Sequence, residues 1–181
     1  MTIFDSVYLK LCSFEQRVKY YRNKGVKIGE GCEIYSGVDF GSEPYLITLG
    51  NNVRVTKNVS FANHDGGLWV IRNLYPEYSD VDLISPIVVG DNVHIGIGAA
   101  ILPGVTIGNN CIIGYGAIVT KDIPDNSIAV GVPARVIENV DDYLKKHHNE
   151  YIRTKNLPSE EKKQFVLKVL NQQNENLDNE Q

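Results

Sequence analysis

The stretch VGDNVHIGIGAAILPGVTIGNNCIIGYGAIVT, residues 89–120, carries an aliphatic residue at every sixth position. The repeated positions are Val89, Ile95, Ile101, Ile107, Ile113 and Val119. Glycine often follows the aliphatic residue, and a small or β-branched residue usually stands four positions after it. A period of six cannot keep one face of an α-helix, which has about 3.6 residues per turn. The pattern therefore predicts short strands and tight corners, with the aliphatic side chains pointing inward.

The same frame extends towards the N-terminus through Ile28, Ile34 and Phe40, and then through Leu49, Val55 and Phe61. Three repeats make one triangular coil of about 18 residues, and stacked coils pair as parallel strands about 4.8 Å apart. Each coil buries its aliphatic side chains only against its neighbours. We expect about five coils, which begin near Ile28, Leu49, Val89, Ile107 and Asp125.

The repeat has helical and polar flanks. Residues 1–25 are predicted to be a helical segment, and residues 26–137 to be the repeat region. Three extra residues after Phe40 and a longer loop at 67–88 interrupt the repeat. Residues 138–170 have apolar residues at helical spacing and predict C-terminal helices. Residues 171–181 contain one apolar residue, which predicts a disordered tail.

Composition excludes several classes of protein. The 181 residues carry a formal net charge of −4, which disfavours nucleic acid as the main partner because phosphate contacts require a basic surface. No apolar run approaches the roughly 20 residues of a membrane-spanning helix, and no secretory signal pattern is present at the start. The three cysteines are too few and too scattered for a disulfide framework. We therefore expect a cytoplasmic protein without a membrane span.

The repeat region resembles the left-handed β-helix hexapeptide-repeat acyltransferases, in the segments FANHDGGLWV, GDNVHIG, ILPGVTIGNN, GAIVTKDIP and VGVPARVI. It is most similar to the branch of galactoside, maltose, xenobiotic and capsular-polysaccharide O-acetyltransferases. The segments EPYLITLGNN and NHDGG favour the capsular or surface-sugar members. The resemblance implies an all-β solenoid that coils as a left-handed parallel β-helix, with acetyl-CoA as co-substrate and no metal for catalysis. The left-handed sense comes from the resemblance alone, since general packing rules favour right-handed crossovers.

Two polar residues occupy equivalent corners of consecutive coils. Phe40 is followed three residues later by Glu43, and Phe61 is followed three residues later by His64. Stacking therefore predicts that these two side chains lie about one strand spacing apart. The resemblance identifies His64 as the catalytic base. A carboxylate beside an imidazole fixes its tautomer and stabilises the imidazolium, so Glu43 is a candidate orienting residue, with Asp65 as the alternative.

The acceptor and CoA sites depend more on the resemblance. Residues in or beside the insertion are candidates for sugar contact, namely Asp65, Trp69, Arg72 and Tyr75. His94 stands where the family usually has a large aromatic residue, so it is either a wall for the acetyl or pantetheine group, a contact to a neighbouring subunit, or an outward-facing histidine. The resemblance implies CoA contacts from the later coils, at Ile97, Tyr115, Gly116, Ala117, Thr120, Lys121 and Arg135. Lysine and arginine suit the phosphate oxygens of CoA.

Assembly and function follow as expectations. Four apolar residues fall at outward-facing positions, and such a surface favours association, namely Ile97, Leu102, Ile112 and Ile118. The resemblance implies a homotrimer with active sites between subunits. We expect transfer of acetyl from acetyl-CoA to a sugar hydroxyl, with a surface or capsular polysaccharide precursor as acceptor and His64 as general base.

Several alternatives remain open. The first is an N-acetyltransferase of an amino sugar. Such enzymes usually carry an added nucleotide-sugar-binding domain, and we expect none here because residues 1–25 are too few to form one. The second is an antibiotic-modifying acetyltransferase. A metal-dependent enzyme like the γ-carbonic anhydrases needs three converging histidines, and the repeat offers His64 and His94. The last is a trimeric scaffold without catalysis.

Overall fold

The computed structural model describes residues 8–179, with side chains described as far as residue 172. Contacts divide the chain into two compact units, with the boundary between Tyr143 and Leu144. The strands of the first unit are β1 Lys27–Ile28, β2 Glu33–Ile34, β3 Ile47–Leu49, β4 Arg54–Val55, β5 Ser60–Phe61, β6 Ile87–Val89, β7 His94–Ile95, β8 Ala100–Ile101, β9 Thr106–Ile107, β10 Ile112–Ile113, β11 Ile118–Val119, β12 Ser127–Val130 and β13 Arg135–Asn139. The helices are α1 Phe14–Asn23, α2 Leu68–Leu74, α3 Val140–His147 and α4 Ser159–Asn179, with 3₁₀ turns at Pro44–Leu46, Pro76–Tyr78 and His148–Glu150.

The strands form three sheets, and successive strands along the repeat join sheets A, B and C in turn. Sheet A has the order β1-β3-β6-β9, sheet B has the order β13-β12-β10-β7-β4-β2, and sheet C has the order β11-β8-β5. All neighbouring strands are parallel except β12 and β13. In the middle of the repeat each strand pairs with the strand three repeats earlier, as Ile107 does with Val89. The coil of three repeats that the period predicts is thus confirmed there.

The aliphatic residue of each repeat points into a continuous core. Ile34, Val55, Ile95 and Ile113 line the inner face of sheet B and are fully buried. At the start of the corner after sheet C, the rings of Phe40 and Phe61 stack at 4.9 Å between centroids, with 2° between their planes. Their alignment fixes the register of the first two coils, because it places the residues that follow each ring one above the other.

Helix α1 closes one end of this core. Its N-terminus begins after Ser13, which forms a capping box with Gln16. The side chain of Tyr21 packs on Phe40 at 4.6 Å between centroids, and its hydroxyl donates a 3.0 Å hydrogen bond to the carbonyl of Val38. Burial raises the pKa of Tyr21 to about 12. The part of the predicted N-terminal helical segment before residue 8 lies outside the described residues.

Corners between strands use asparagine and glycine for different reasons. Asn92, Asn110 and Asn126 adopt positive φ and stack through side-chain hydrogen bonds of 2.9 Å. Asparagine tolerates this conformation better than most residues. Gly50 is required because a Cβ there would lie 2.8 Å from the backbone of Gly90 in the next coil. Glycine at this corner therefore allows the backbones of neighbouring coils to approach closely.

The last coil departs from the predicted register. Ile123, not Asp125, pairs in parallel with Ile107, so this step along the chain is shorter than the step from Val89 to Ile107. At this shorter corner the Asp122 side chain accepts the Thr106 N–H at 2.8 Å. The chain then reverses, and β13 runs antiparallel to β12, so residues 135–137 do not form another turn of the repeat.

The insertion is shorter than predicted and contains structure. Ile87 and Val88 pair with β3, and Ile87 is fully buried, so they belong to sheet A and not to the predicted loop 67–88. Helix α2 and the turn Pro76–Tyr78 occupy the remainder. The three extra residues predicted after Phe40 correspond to the 3₁₀ turn Pro44–Leu46.

The second unit is mainly helical. The predicted C-terminal helices correspond to α3 and α4. Helix α4 continues to Asn179, whereas the sequence predicts a disordered tail from residue 171. A helix that has already begun at Ser159 can extend into this segment without a second nucleation step. Residues 180–181 lie outside the described part of the chain. Between residues 8 and 179, no helix has the length and apolar character to cross a membrane.

Candidate active site

His64 and Glu43 are in contact, as the register of the two phenylalanines predicts. The Nδ1 atom of His64 lies 3.2 Å from Oε2 of Glu43. The imidazole side chain is 46% exposed and the carboxylate side chain is 20% exposed, so the pair is open to a ligand from the imidazole side. The carboxylate comes from the corner of the first coil and the imidazole from the corner of the second. A rigid stack of coils therefore holds the two groups together.

Ser42 completes a three-residue cluster with this pair. Its hydroxyl donates a 2.8 Å hydrogen bond to Oε2 of Glu43, and its Oγ lies 3.1 Å from Nδ1 of His64. Because the hydroxyl hydrogen points to the carboxylate, Oγ can only accept from Nδ1. Both neighbours of Nδ1 are therefore acceptors, which places the proton on Nδ1 and leaves the lone pair on Nε2. Ser42 and Glu43 share the same ring nitrogen, so this cluster differs from a nucleophilic triad, in which serine and acid occupy opposite nitrogens.

The backbone around His64 is tied to the returning end of the insertion. His64 forms an antiparallel bridge with Ile84. The Asp65 N–H donates to the carbonyl of Leu83 at 2.9 Å, and the Ser85 N–H donates to the carbonyl of Asn63 at 2.9 Å. These bonds fix the base of the insertion against the histidine, so the insertion and the imidazole form one local structure.

Asp65 and Arg72 have structural contacts inside the insertion. Oδ1 of Asp65 accepts the Gly67 N–H at 2.8 Å, just before α2. Glu43 and Asp65 are the two candidates for orienting His64, and in the structure it is Glu43 that forms the hydrogen bond with the imidazole. The Arg72 guanidinium donates to the carbonyl of Val81 and pairs with Asp82. Arg72 therefore links α2 to the returning chain, and its predicted role in sugar contact stays a prediction.

The insertion also presents aromatic side chains to solvent. Trp69 is 71% exposed on α2. Tyr75 and Tyr78 are both exposed and pack edge to face, with 6.3 Å between ring centroids. Aromatic faces of this kind suit stacking on sugar rings. Tyr78 is not among the residues predicted from sequence, and its packing on Tyr75 is the signal that identifies it.

His94 lies away from His64 within one chain. It occupies the outer face of sheet B, between Arg54 and Ile112 on the neighbouring strands. His64, in contrast, follows sheet C. Partial burial and the nearby Arg54 guanidinium lower the pKa of His94, so it is mainly neutral near pH 7. The structure does not bring the two histidines together within one chain.

Four of the residues predicted to contact CoA lie on two different corners of the stacked coils. Ile97 and Tyr115 lie on the corner between sheets B and C and are 40% and 80% exposed, and the Gly116 N–H donates to the Ile97 carbonyl at 2.9 Å. Thr120 and Lys121 are exposed on the same corner as His64, two coils further along. Their roles in CoA binding stay predictions.

Two predicted CoA contacts are limited by their surroundings. The side chain of Ala117 is fully buried at the inward position four residues after the repeated aliphatic Ile113, which leaves only its backbone for a contact with CoA. Arg135 is exposed on β13, and its guanidinium donates to the carbonyl of Ala134 at 2.8 Å. A contact of Arg135 with phosphate, and any backbone contact of Ala117, stay predictions.

Other chemistry-bearing residues have structural roles. The three cysteines are unpaired and buried, as expected for packing residues. Burial raises the pKa of Cys32 and of Cys111, which disfavours the reactive thiolate at both sites. Among residues 8–179, no three His, Cys, Asp or Glu side chains converge in a group that could hold a metal ion.

The three sheets and the six-residue repeat together define a protein built of stacked coils. The family described as "Bacterial transferase hexapeptide (six repeats)" matches residues 86–121. Protein CapG of Staphylococcus aureus is 46% identical over 164 residues, which cover 89% of this chain and 93% of CapG. The galactoside O-acetyltransferase of Escherichia coli (strain K12) is 38% identical over 135 residues, which cover 71% of this chain and 62% of that enzyme.

A solved hexapeptide-repeat acetyltransferase of Vibrio cholerae, complexed with acetyl coenzyme A, has the same fold. Its TM-score is 0.60 at 22% identity, and the match covers 74% of this chain and 82% of that chain. The chain belongs to the hexapeptide-repeat acetyltransferase family.

Proposed function

We propose that this protein transfers an acetyl group from acetyl-CoA to a hydroxyl group of a sugar, with His64 as general base. The observation that carries the proposal is the position of Nδ1 of His64, 3.2 Å from Glu43 and 3.1 Å from Ser42, which leaves Nε2 free to accept a proton. The galactoside acceptor named for the Escherichia coli relative supports a sugar as acceptor. The sequence resemblance favours a surface or capsular polysaccharide precursor.

The reaction follows from this geometry. Nε2 of His64 accepts the proton of the acceptor hydroxyl while the hydroxyl oxygen attacks the thioester carbonyl of acetyl-CoA. The C–S bond of the tetrahedral intermediate then breaks, and the imidazolium returns the proton to the departing CoA sulfur. Glu43 stabilises the imidazolium between these steps. General-base assistance is worth about 10²–10⁴-fold, and holding two substrates in line supplies much of the remaining acceleration.

The proposal includes the handedness and assembly of the protein. Membership of the family supports a left-handed coil, with about five coils from residue 26 onward. Exposed Ile97 and Tyr115 on one corner, and exposed Thr120 and Lys121 on another, offer two surfaces for the long CoA molecule. A homotrimer would place the corner of one chain that carries His64 against the later coils of its neighbour, so that each active site lies between subunits.

Release of CoA thiol tests the proposal. Purified protein is mixed with acetyl-CoA and a panel of acceptors: neutral glycosides, nucleotide sugars and amino sugars. We expect acceptor-dependent thiol release, and a loss of about 100-fold or more in kcat for His64→Ala. His148→Ala is the matched control, because His148 is an exposed histidine of the second unit. Activity equal in His64→Ala and wild-type protein would refute the role of the base, and release only with amino acceptors would indicate N-acetylation.

A further inference from the structure

Asn63 is a completely buried polar residue beside the catalytic pair. It is 0% exposed. The Nδ2 group donates a 2.6 Å hydrogen bond to the backbone carbonyl of Glu43, and the backbone carbonyl of Asn63 accepts the Ser85 N–H at 2.9 Å. A single residue thus joins three segments: the corner that carries the carboxylate, the corner that carries the imidazole, and the returning end of the insertion.

The Glu43 carbonyl receives two hydrogen bonds, one from each side. The Leu46 N–H donates at 3.0 Å from within the 3₁₀ turn, and Asn63 Nδ2 donates from the neighbouring coil. Two donors fix the orientation of this peptide group, and with it the direction in which the Glu43 side chain leaves the backbone. The hydrogen bond from the Leu46 N–H would by itself give the Glu43 carbonyl a partner. The second hydrogen bond, from Asn63, therefore serves to fix the orientation of the peptide group.

The other end of the amide is not paired. Oδ1 of Asn63 is buried and has no hydrogen-bond partner in the described structure. It lies against Gly41, where a Cβ would approach it to 2.9 Å. An unpaired buried acceptor lowers the stability of the folded state, and such departures from good packing concentrate at functional sites. Asparagine is therefore a poor choice for stability at this position and a good one for holding Glu43.

We propose that Asn63 is a positioning residue for catalysis, which acts by orienting Glu43 so that the carboxylate holds His64 in the tautomer with the proton on Nδ1. The proposal rests on the proposed function of His64 as general base. It predicts that removal of the Asn63 amide lowers turnover through Glu43 while the fold persists. It also explains why the residue before the base is buried when its two neighbours, Ala62 and His64, are partly or largely exposed.

The test compares Asn63→Ala, Glu43→Ala and the double variant. We expect kcat to fall about five- to tenfold in Asn63→Ala with the KM for acetyl-CoA unchanged, because the substrate contacts are intact. The double variant should match Glu43→Ala alone, since Asn63 acts only through that carboxylate. Additive losses in the double variant would overturn the proposal.

A second readout does not depend on activity. Nitrogen-15 chemical shifts of neutral His64 report which ring nitrogen carries the proton, and we expect the wild-type signal of Nδ1–H to move towards Nε2–H in Asn63→Ala. Thr56→Val is the matched control, because Thr56 is 9% exposed and donates a 2.6 Å hydrogen bond to the Ile95 carbonyl. It should leave the tautomer unchanged.

The outcomes separate the two proposals. An unchanged tautomer in Asn63→Ala, or an unfolded variant, would show a purely structural role and overturn the positioning proposal. The tautomer could change in Asn63→Ala while the wild-type protein transfers no acetyl group to any acceptor. That result would support the positioning role of Asn63 and refute the proposed function. Cooperative thermal unfolding of each variant establishes that the compared proteins are folded.

Discussion

Replacement of Glu43 by glutamine isolates the charge of the carboxylate. Glutamine has nearly the same shape, and its Oε1 can still accept the hydrogen bond from Nδ1 of His64. The tautomer of the imidazole is therefore kept, while the negative charge that stabilises the imidazolium is removed. The variant measures one quantity, the electrostatic contribution of Glu43 to the transition state.

The magnitude follows from the distance and the exposure of the pair. Two unit charges 3.2 Å apart interact by about 1.3 kcal/mol at a water-like dielectric and by about 5 kcal/mol at an effective dielectric of 20. The His64 side chain is 46% exposed, which favours the lower limit. We therefore expect a loss of about 1.5 kcal/mol, which corresponds to about tenfold in kcat.

The assay is acetyl-CoA thiol release at saturating acceptor, with wild-type protein, Glu43→Gln and His64→Ala side by side. The expected order of kcat is wild type, then Glu43→Gln, then His64→Ala, while the KM for acetyl-CoA stays within about twofold. Glu33→Gln serves as the matched control, because Glu33 is paired with Arg54 on the outer face of sheet B. Wild-type turnover in Glu43→Gln would refute the electrostatic role of the carboxylate.

Three further predictions concern stability and the acceptor. Gly50→Ala should lower the free energy of unfolding by about 2–4 kcal/mol in urea, because its Cβ would meet the backbone of Gly90 at 2.8 Å, whereas Gly66→Ala has nothing within 4 Å and should have little effect. Trp69→Ala should raise the KM for the sugar about three- to tenfold with an unchanged melting temperature, since the ring is 71% exposed; an unchanged KM would exclude stacking on the acceptor. Because the folded pKa of Tyr21 is raised from 10.0 to about 12, its contribution to stability is present below pH 10 and is lost between pH 10 and about 12. The urea midpoint should therefore fall more steeply over this range in wild-type protein than in Tyr21→Phe, and parallel curves would contradict it.

The register of the first two coils was predictable because parallel strands leave little freedom. Phe40 and Phe61 are separated by one coil and the three extra residues, and those residues sit in a turn that returns the chain to the same face. Once the two rings align, the residues three positions later must align as well. The spacing therefore predicts that Glu43 and His64 are neighbours, whereas the choice between Glu43 and Asp65 as the partner of His64 required the structure.

The features that the sequence did not reveal depend on single side-chain contacts. In the shorter last coil the Asp122 carboxylate accepts the Thr106 N–H, and the six-residue period gives no sign of this contact. The pairing of Arg72 with Asp82 requires the folded insertion, which has no repeat to guide prediction. Ser42 and Asn63 lie outside the repeated positions, so the pattern that identified the fold gave no sign of their contacts with the His64–Glu43 pair.

Ala117 illustrates two kinds of information that the sequence carries about one residue. Its place in the repeat, four residues after Ile113, predicts an inward side chain, whereas the resemblance implies contact with CoA. The buried side chain agrees with the repeat and restricts a CoA contact to the backbone. Position within the period is thus a stronger guide to side-chain direction than motif similarity, because direction is dictated by the backbone of the coil.

The His64–Glu43 pair spans a single step between the first two coils, and the strands from β7 to β11 continue in regular steps of one whole coil. A coil can therefore be duplicated or deleted in the later part of the chain without separating the carboxylate from the imidazole. If the proposed reaction holds, the length of the surface that binds CoA and the geometry of proton transfer are consequently independent of one another. Evolution or protein engineering can lengthen the former one module at a time and leave the latter intact.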